Sequence, residues 1–361
     1  MKQRKRIEEL PATQSASVRS LPIHTWPHAD RVAWECACIP SHRLKRGGRA
    51  GHLKPITQRD LARRYGYYLD YLDRHNRLDL QGAAGSQVTP AHVDAYVAEL
   101  KPRVSSVTLY GSIYKLRRAA QLLAPSLDFT WLCEIEKDLA LVMEPRSKAD
   151  RFVLSEVLVD AGLSLIREAE NAPAWSDLKH AVGVRNGLMI AVLAFCPIRL
   201  KNFAALQIGT TFRQIKNSWW IVLSAADTKE NRPDERRIDA SMAPAIERYL
   251  EVHRPVLMKG TSPHAGLWVS SNTGAPLRYS GVEKTISATT KSTIGVDVSP
   301  HMFRTAGAST AATYGGSNPH LGSALLHHTD PRTTEAHYNL ATTLSAGQAF
   351  AEVLKPYRRT D

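Results

Sequence analysis

Thirteen residues close to the C-terminal end, "HHTDPRTTEAHYN" from His327 to Asn339, hold three histidines, an aspartate, an arginine, paired threonines and a tyrosine. Two chemistries fit such a cluster. Imidazoles can bind a metal, and a phenol flanked by cations can serve as a nucleophile. Histidine spacing weighs against the metal. Helical zinc sites set histidines four apart, whereas His327 and His328 are adjacent and diverge on a helix, and His337 falls beyond the next cap. No metal site is expected.

Cationic partners for a phenol lie upstream. In "SPHMFRTAGAS", Ser299 is a good N-cap and Pro300 a good first helical residue, so His301 and Arg304, three residues apart, project from one face near a helix start. The free amides of a helix N-terminus suit a phosphate, and an arginine one turn in adds paired hydrogen bonds to its oxygens. On its own, H-x-x-R is an everyday surface pattern. Asp330 and Pro331 make a second helix start, which puts Tyr338 two turns into that helix and His328 just before its cap. Tyr314, in "TAATYGG", competes as nucleophile, but capping or packing near a helix end explains it.

An H-x-x-R helix, a short connection, L-x-H, a threonine pair and a tyrosine, in that order, resemble the tyrosine recombinases, the phage-integrase-type site-specific recombinases. The resemblance implies an arginine after an apolar helix and a lysine on a β-hairpin. Arg199 in "AFCPIRLKNFAALQIG" and Lys229 in "AADTKENRP" occupy those settings. It further implies metal-free and ATP-free cutting and rejoining of double-stranded DNA. Tyr338 would attack a phosphate, Arg199 and Arg304 clamp its oxygens, Lys229 protonate the departing 5′-oxygen, His301 relay the tyrosine proton and His328 hydrogen-bond the phosphate. Three positions depart from the family pattern. His327 stands where a glycine is common, the interval from His328 to Tyr338 is ten residues where nine is usual, and Asn202 replaces a frequent glutamate. Either the turn before the helix holds an extra residue, or His327 and His328 share the role. A catalytically silent DNA-binding protein of the same fold and a type IB-like topoisomerase remain as alternatives.

Helical patterns must position these groups. "TQRDLARRYGYYLDYLDRH" aligns Leu61, Tyr65, Tyr68, Leu69 and Leu72 on one face, and Thr89 with Pro90 starts a second helix. Two further helices, in "SSVTLYGSIYKLRRAAQLLA" and "FTWLCEIEKDLALVM", complete an all-helical region over 56–146, the core-binding domain that the resemblance implies. A polar linker precedes a catalytic region over 152–361. This region starts with a helix capped by Ser155, continues through the apolar "LKHAVGVRNGLMIAVLAF", and carries the convincing strands in "SWWIVLSAADTK" and "RRIDAS", with a short one in "LWVSS". The expected fold is therefore mainly α with a small antiparallel β-hairpin or sheet. No βαβ alternation is present, which disfavours a doubly wound nucleotide fold. The tail "NLATTLSAGQAFAEVLKPYRR" reads as an amphipathic helix. By resemblance it docks on a neighbouring protomer, in a homo-tetramer that holds two DNA sites.

Composition agrees with a polyanionic partner. Lys and Arg number 47 against 34 Asp and Glu, a net charge of +13, which favours nucleic acid first and acidic membrane second. The excess is concentrated at the N-terminus, where residues 1–60 hold 12 Lys or Arg and 5 Asp or Glu. Residues 1–55 read as a basic, irregular extension, and Arg43, Lys45, Arg46, Arg49 and Lys54 in "RLKRGGRAGHLK" as a flexible arm that tracks a DNA backbone. The apolar run "LMIAVLAFCPI" is broken by Pro197 and followed by Arg199, so no membrane partner is expected. Four cysteines with one lone C-x-C (Cys36, Cys38) suit buried thiols in a reducing cytoplasm, with no cofactor.

Overall fold

Buried side chains follow the apolar periods of the sequence and sort into two separate cores, one within Met1–Arg146 and one within Ser147–Asp361. The structure is a computed structural model, and it describes residues 19–145, 151–229, 231–314 and 321–326.

The first unit is built from α1 (His28–Ala37), α2 (Pro55–Arg74), α3 (Pro90–Leu100), α4 (Ser106–Leu123) and α5 (Thr130–Leu141). The stripe of α2 is fully withdrawn from water, with Tyr65, Tyr68, Leu69 and Leu72 all at 0% exposure. Burying two phenols requires partners for their hydroxyls. Tyr65 donates to Asp30 at 2.8 Å and Tyr68 to the Gln87 carbonyl at 2.7 Å. Thr89 caps α3, its side chain accepting from the His92 N–H, with Pro90 first in the helix. Ser105 caps α4 in the same way through Thr108.

The segment before residue 56 does more than its composition announces. It supplies α1 and places Leu21, Trp26 and Trp34 in the core of the first unit. Trp26 stands edge-on to Trp34 and Tyr65, and its indole N–H donates to the Leu21 carbonyl at 3.0 Å. The basic stretch after α1 is an ordered loop rather than a loose arm. His42 and Lys45 exchange two backbone hydrogen bonds of 3.0 Å, while Gly48 and Ala50 donate to the Ile39 and Ala37 carbonyls, each at 2.8 Å. At Gly48 the backbone lies so close to the Cys36 and Ala37 carbonyls that no side chain would fit, so the glycine serves close packing rather than freedom.

The second unit begins with α6 (Ser155–Asn171) and α7 (Asp177–Phe195), followed by the short α8 (Leu200–Ala204). Glycines let α6 and α7 cross at close range. A Cβ on Gly162 would sit 2.7 Å from the Gly187 carbonyl, and one on Gly187 would sit 2.6 Å from the Gly162 carbonyl. The expected cap on α6 is absent. Ser155 is its first helical residue, and its backbone N–H is satisfied by the Thr310 hydroxyl at 3.0 Å instead of its own side chain satisfying the helix. By length and apolarity α7 could span a bilayer, yet 67% of that stretch is buried inside the unit, which makes it a core helix.

A three-stranded antiparallel sheet follows, β1 (Phe212–Ile215), β2 (Ser218–Leu223) and β3 (Asp234–Arg237), in the order β1-β2-β3. The expected hairpin is β2–β3, with Leu223 opposite Asp234 and Trp220 opposite Arg237. The third strand, β1, had no distinct period in the sequence. "LWVSS" forms only an isolated bridge, at Val269, with another at Gly266 just before it. Side chains take two of its carbonyls, since Tyr249 donates to Leu267 at 2.8 Å and Arg185 to Val269 at 2.7 Å. The remaining described α-helices are α9 (Ala243–Arg248), α10 (Arg254–Met258), α11 (Tyr279–Ile294), α12 (Pro300–Tyr314) and α13 (Leu321–Leu326), with a π-helical stretch, Tyr249–His253, joining α9 to α10. The fold is mainly helical with one small antiparallel sheet, as the sequence pattern implies.

Candidate active site

Arg199 and Arg304, 105 positions apart in the sequence, line one narrow cleft in the second unit, together with Asn202, Thr228, Arg232, Asp234 and Leu326. Each arrives by a separate local device. The apolar α7 ends at Phe195, and Cys196, Pro197 and Ile198 remain buried as the chain turns toward α8. Arg199 then becomes the N-cap of α8, its carbonyl accepting from the Asn202 and Phe203 N–H groups at 2.9 and 3.0 Å. Arg199 itself is half-buried. Beneath this turn Cys196 is buried, and burial pushes its thiol up to about 11, so it remains protonated and apolar.

Arg304 comes from α12, which begins at Pro300 as Ser299–Pro300 dictates. The side chain is only 8% exposed, and its guanidinium donates to the Pro197 carbonyl at 2.6 Å and the Leu326 carbonyl at 2.7 Å. Gly307, one turn further on, lets α12 approach this closely, since a Cβ there would stand 3.1 Å from the Pro197 ring. A guanidinium keeps its charge even when buried, so these two carbonyls fix a permanent cation in the cleft wall. They also hold Leu326, the last described residue before His327, at the same cleft.

The β2–β3 connection supplies Thr228 and Arg232 to the same cleft. Ser224 donates through its hydroxyl at 2.7 Å and its N–H at 3.0 Å to Asp227, holding that carboxyl below its usual range. The Thr228 hydroxyl donates to the Arg232 carbonyl at 2.7 Å and accepts from the Arg232 N–H at 3.0 Å. Lys229 therefore emerges, exposed, from a turn braced on both sides. Asp234 is buried and paired with Arg236 through two hydrogen bonds, at 2.8 and 2.9 Å, which offsets its negative charge at the cleft.

Three arginines and one paired aspartate make a positively charged set of planar donors, a chemistry that pairs with oxyanions. Of the residues singled out from sequence, Arg199 and Arg304 are brought together here. Lys229 adjoins the cleft residue Thr228, and His301 lies one turn before Arg304; both are exposed, and neither lines the cleft. His327, His328, His337 and Tyr338 lie outside the described residues. Tyr314 is 67% exposed, its hydroxyl 3.3 Å from Glu156, and it is not among the cleft residues. Sequence reasoning missed Arg232, although its place three residues after Lys229 on the same turn was a usable signal. In the first unit, Arg43, Lys45, Arg46, Arg49 and Lys54 are all exposed. Arg46 and Arg49, with His52 and the unforeseen Arg118 of α4, border a cavity of about 1000 Å³.

No protein-family model matches the chain. No curated protein matches it significantly. Among solved structures, the XerH site-specific recombinase bound to its difH substrate in a pre-cleavage complex aligns with a TM-score of 0.51 at 15% identity, over 78% of this chain and 76% of that one. XerA recombinase aligns more loosely, with a TM-score of 0.38 at 17% identity over 87% and 96% of the two chains. A lambda integrase dimer bound to a COC′ core site gives 0.48 at 13% identity over 80% and 89%. The likeness to XerH shows a shared fold.

Proposed function

We propose that this chain is a tyrosine recombinase that cuts and rejoins double-stranded DNA through a 3′-phosphotyrosyl intermediate. The observation that carries the reading is the convergence of Arg199 and Arg304 on one cleft, whose wall also includes the residue leading into "HHTDPRTTEAHYN". The fold shared with XerH supports it. In this reading the phenolic oxygen of Tyr338 attacks the scissile phosphorus, and the bond from phosphorus to the 5′-oxygen breaks. A phenol loses its proton at about pH 10 in water, so the site must favour the anion at neutral pH. Arg199 and Arg304 neutralise the non-bridging oxygens as charge accumulates, and His328 adds a hydrogen bond. His301 takes up the tyrosine proton. Lys229, on its braced turn, gives a proton to the departing 5′-oxygen. Attack by the 5′-hydroxyl of another strand reverses the step, so the bond energy is conserved and neither ATP nor a metal is consumed. The Arg and Lys residues of the first unit grip the flanking backbone, and four copies hold two sites, in the cytoplasm on the nucleoid.

Incubating full-length protein with DNA from its native host tests this directly. Wild type should form a denaturant-resistant protein–DNA adduct, unaffected by EDTA, that Tyr338→Phe does not form. If both proteins shift DNA only reversibly, the enzyme reading fails and a silent DNA-binding protein remains. Adducts that relax supercoils but never exchange strands between two duplexes would point instead to a topoisomerase.

A further inference from the structure

We propose that Leu44 is a groove-inserting wedge that unstacks one base step of the bound DNA. The inference rests on the DNA-binding reading above. Leu44 is 98% exposed, and no other large apolar side chain among the described residues is as exposed. It stands at the tip of a two-residue turn, Arg43–Leu44, closed on both sides by the reciprocal His42–Lys45 hydrogen bonds. The turn cannot readily fold back to hide its leucine, because its base is stitched to the first unit. The Gly47 N–H donates to the Ser41 hydroxyl at 3.0 Å, the Gly48 N–H to the Ile39 carbonyl at 2.8 Å, and the Ala50 N–H to the Ala37 carbonyl at 2.8 Å. Ala50 is itself fully buried.

Arg43, Lys45 and Arg46 surround that tip and are exposed. Cations on both sides of one apolar side chain match the two surfaces a DNA groove offers, phosphates along its rims and stacked bases at its floor. A rigid, narrow turn can enter a groove, where an inserted aliphatic side chain separates adjacent bases and bends the duplex. Lipid is the other surface that accepts an apolar tip ringed by cations. The shared fold with a DNA recombinase and the cationic cleft of the second unit favour DNA.

The experiment uses the full-length protein and a duplex selected from a random-sequence pool by binding to it, with 2-aminopurine substituted at each step in turn. Wild type should brighten the probe at one step. Leu44→Ala, a substitution at a fully exposed position that leaves the fold intact, should abolish that signal. It should also weaken binding roughly tenfold, the scale of one lost base contact, with the salt dependence unchanged. An Arg43→Ala/Lys45→Ala double variant should instead weaken binding to all sequences alike and lower the salt slope. If wild type binds DNA but no probe brightens, or Leu44→Ala matches wild type, the wedge is wrong while the DNA reading stands. If no duplex is retained at all, both fall. Loss of binding to phosphatidylserine vesicles by Leu44→Ala, without an effect on DNA, would assign the tip to a membrane and overturn the proposal.

Discussion

Arg304 is buried against the Pro197 and Leu326 carbonyls, whereas Arg199 is half-buried at the head of α8, so the two arginines should respond differently to truncation. Removing Arg304 strands two buried acceptors, each of which costs about 1–3 kcal/mol of stability, in addition to any effect on the proposed chemistry. Arg304→Lys keeps the charge but cannot span both carbonyls, and should be nearly as impaired. Arg199→Ala should fold almost normally and lose roughly 10²–10³ in the rate of adduct formation, the scale of one oxyanion donor. Urea unfolding and single-turnover cleavage separate the two effects, and an Arg199→Ala protein that cleaves at the wild-type rate would remove this arginine from the clamp. A different residue, Glu99, contributes to the acid stability of the first unit. Burial pushes the Glu99 carboxyl up, but hydrogen bonds from Arg74 and His75 outweigh it and hold the carboxyl below its ordinary value near 4.5. A depressed carboxyl stabilises the fold fully above its unfolded pKa and loses that contribution as pH falls through the folded value. Glu99→Gln should therefore cost about 1 kcal/mol at pH 7, a figure kept small by solvent screening, and flatten the loss of stability below about pH 4.5.

The α6–α7 crossing sets the frame from which Arg199 departs, because α7 runs straight into the Pro197 turn. Its two glycines approach each other's carbonyls so closely that a methyl group on either has no place to go. Gly162→Ala or Gly187→Ala should destabilise the protein by about 1–3 kcal/mol, measured by thermal unfolding, despite the intrinsic helix preference for alanine. An unchanged or raised melting temperature would mean the helices can separate freely. The same elements show how far sequence can be read. Helices α2 and α12 were legible because an apolar stripe in one and a Ser-Pro start in the other are local signals that tertiary packing does not override. Strand β1 was not, since "FRQI" is four residues long and only Phe212 is buried. The start of α6 was misjudged because its terminal N–H is satisfied by Thr310, distant in sequence. The cleft was half legible. Arg199 and Arg304 followed from motif order, and Arg232 was within reach as a neighbour of Lys229 on the same turn, but Asp234 joins them through a hairpin register that no local pattern encodes.

At the scale of the whole chain, the proposed recombinase, with an excess of 13 positive charges and two separately cored units, should make two kinds of DNA contact, which salt can distinguish. Each phosphate neutralised by Lys or Arg releases condensed counterions, so the logarithm of affinity falls linearly with the logarithm of salt, with a slope near −0.9 per contact. If the ordered basic loop contributes one contact from each of Arg43, Arg46 and Arg49, replacing all three by alanine should flatten the slope by about 3. Replacing Arg199 should flatten it by about 1, because in the proposed reading the cleft grips a single scissile phosphate. Tyr338→Phe should leave the slope unaltered, since a neutral phenol displaces no counterion, and yet eliminate the covalent product. Fluorescence titrations of one duplex from 50 to 200 mM salt, across the wild type and these three variants, measure all the slopes together. A triple variant with an unchanged slope would mean that the loop cations point away from the DNA and that the excess charge of the N-terminal unit serves another purpose.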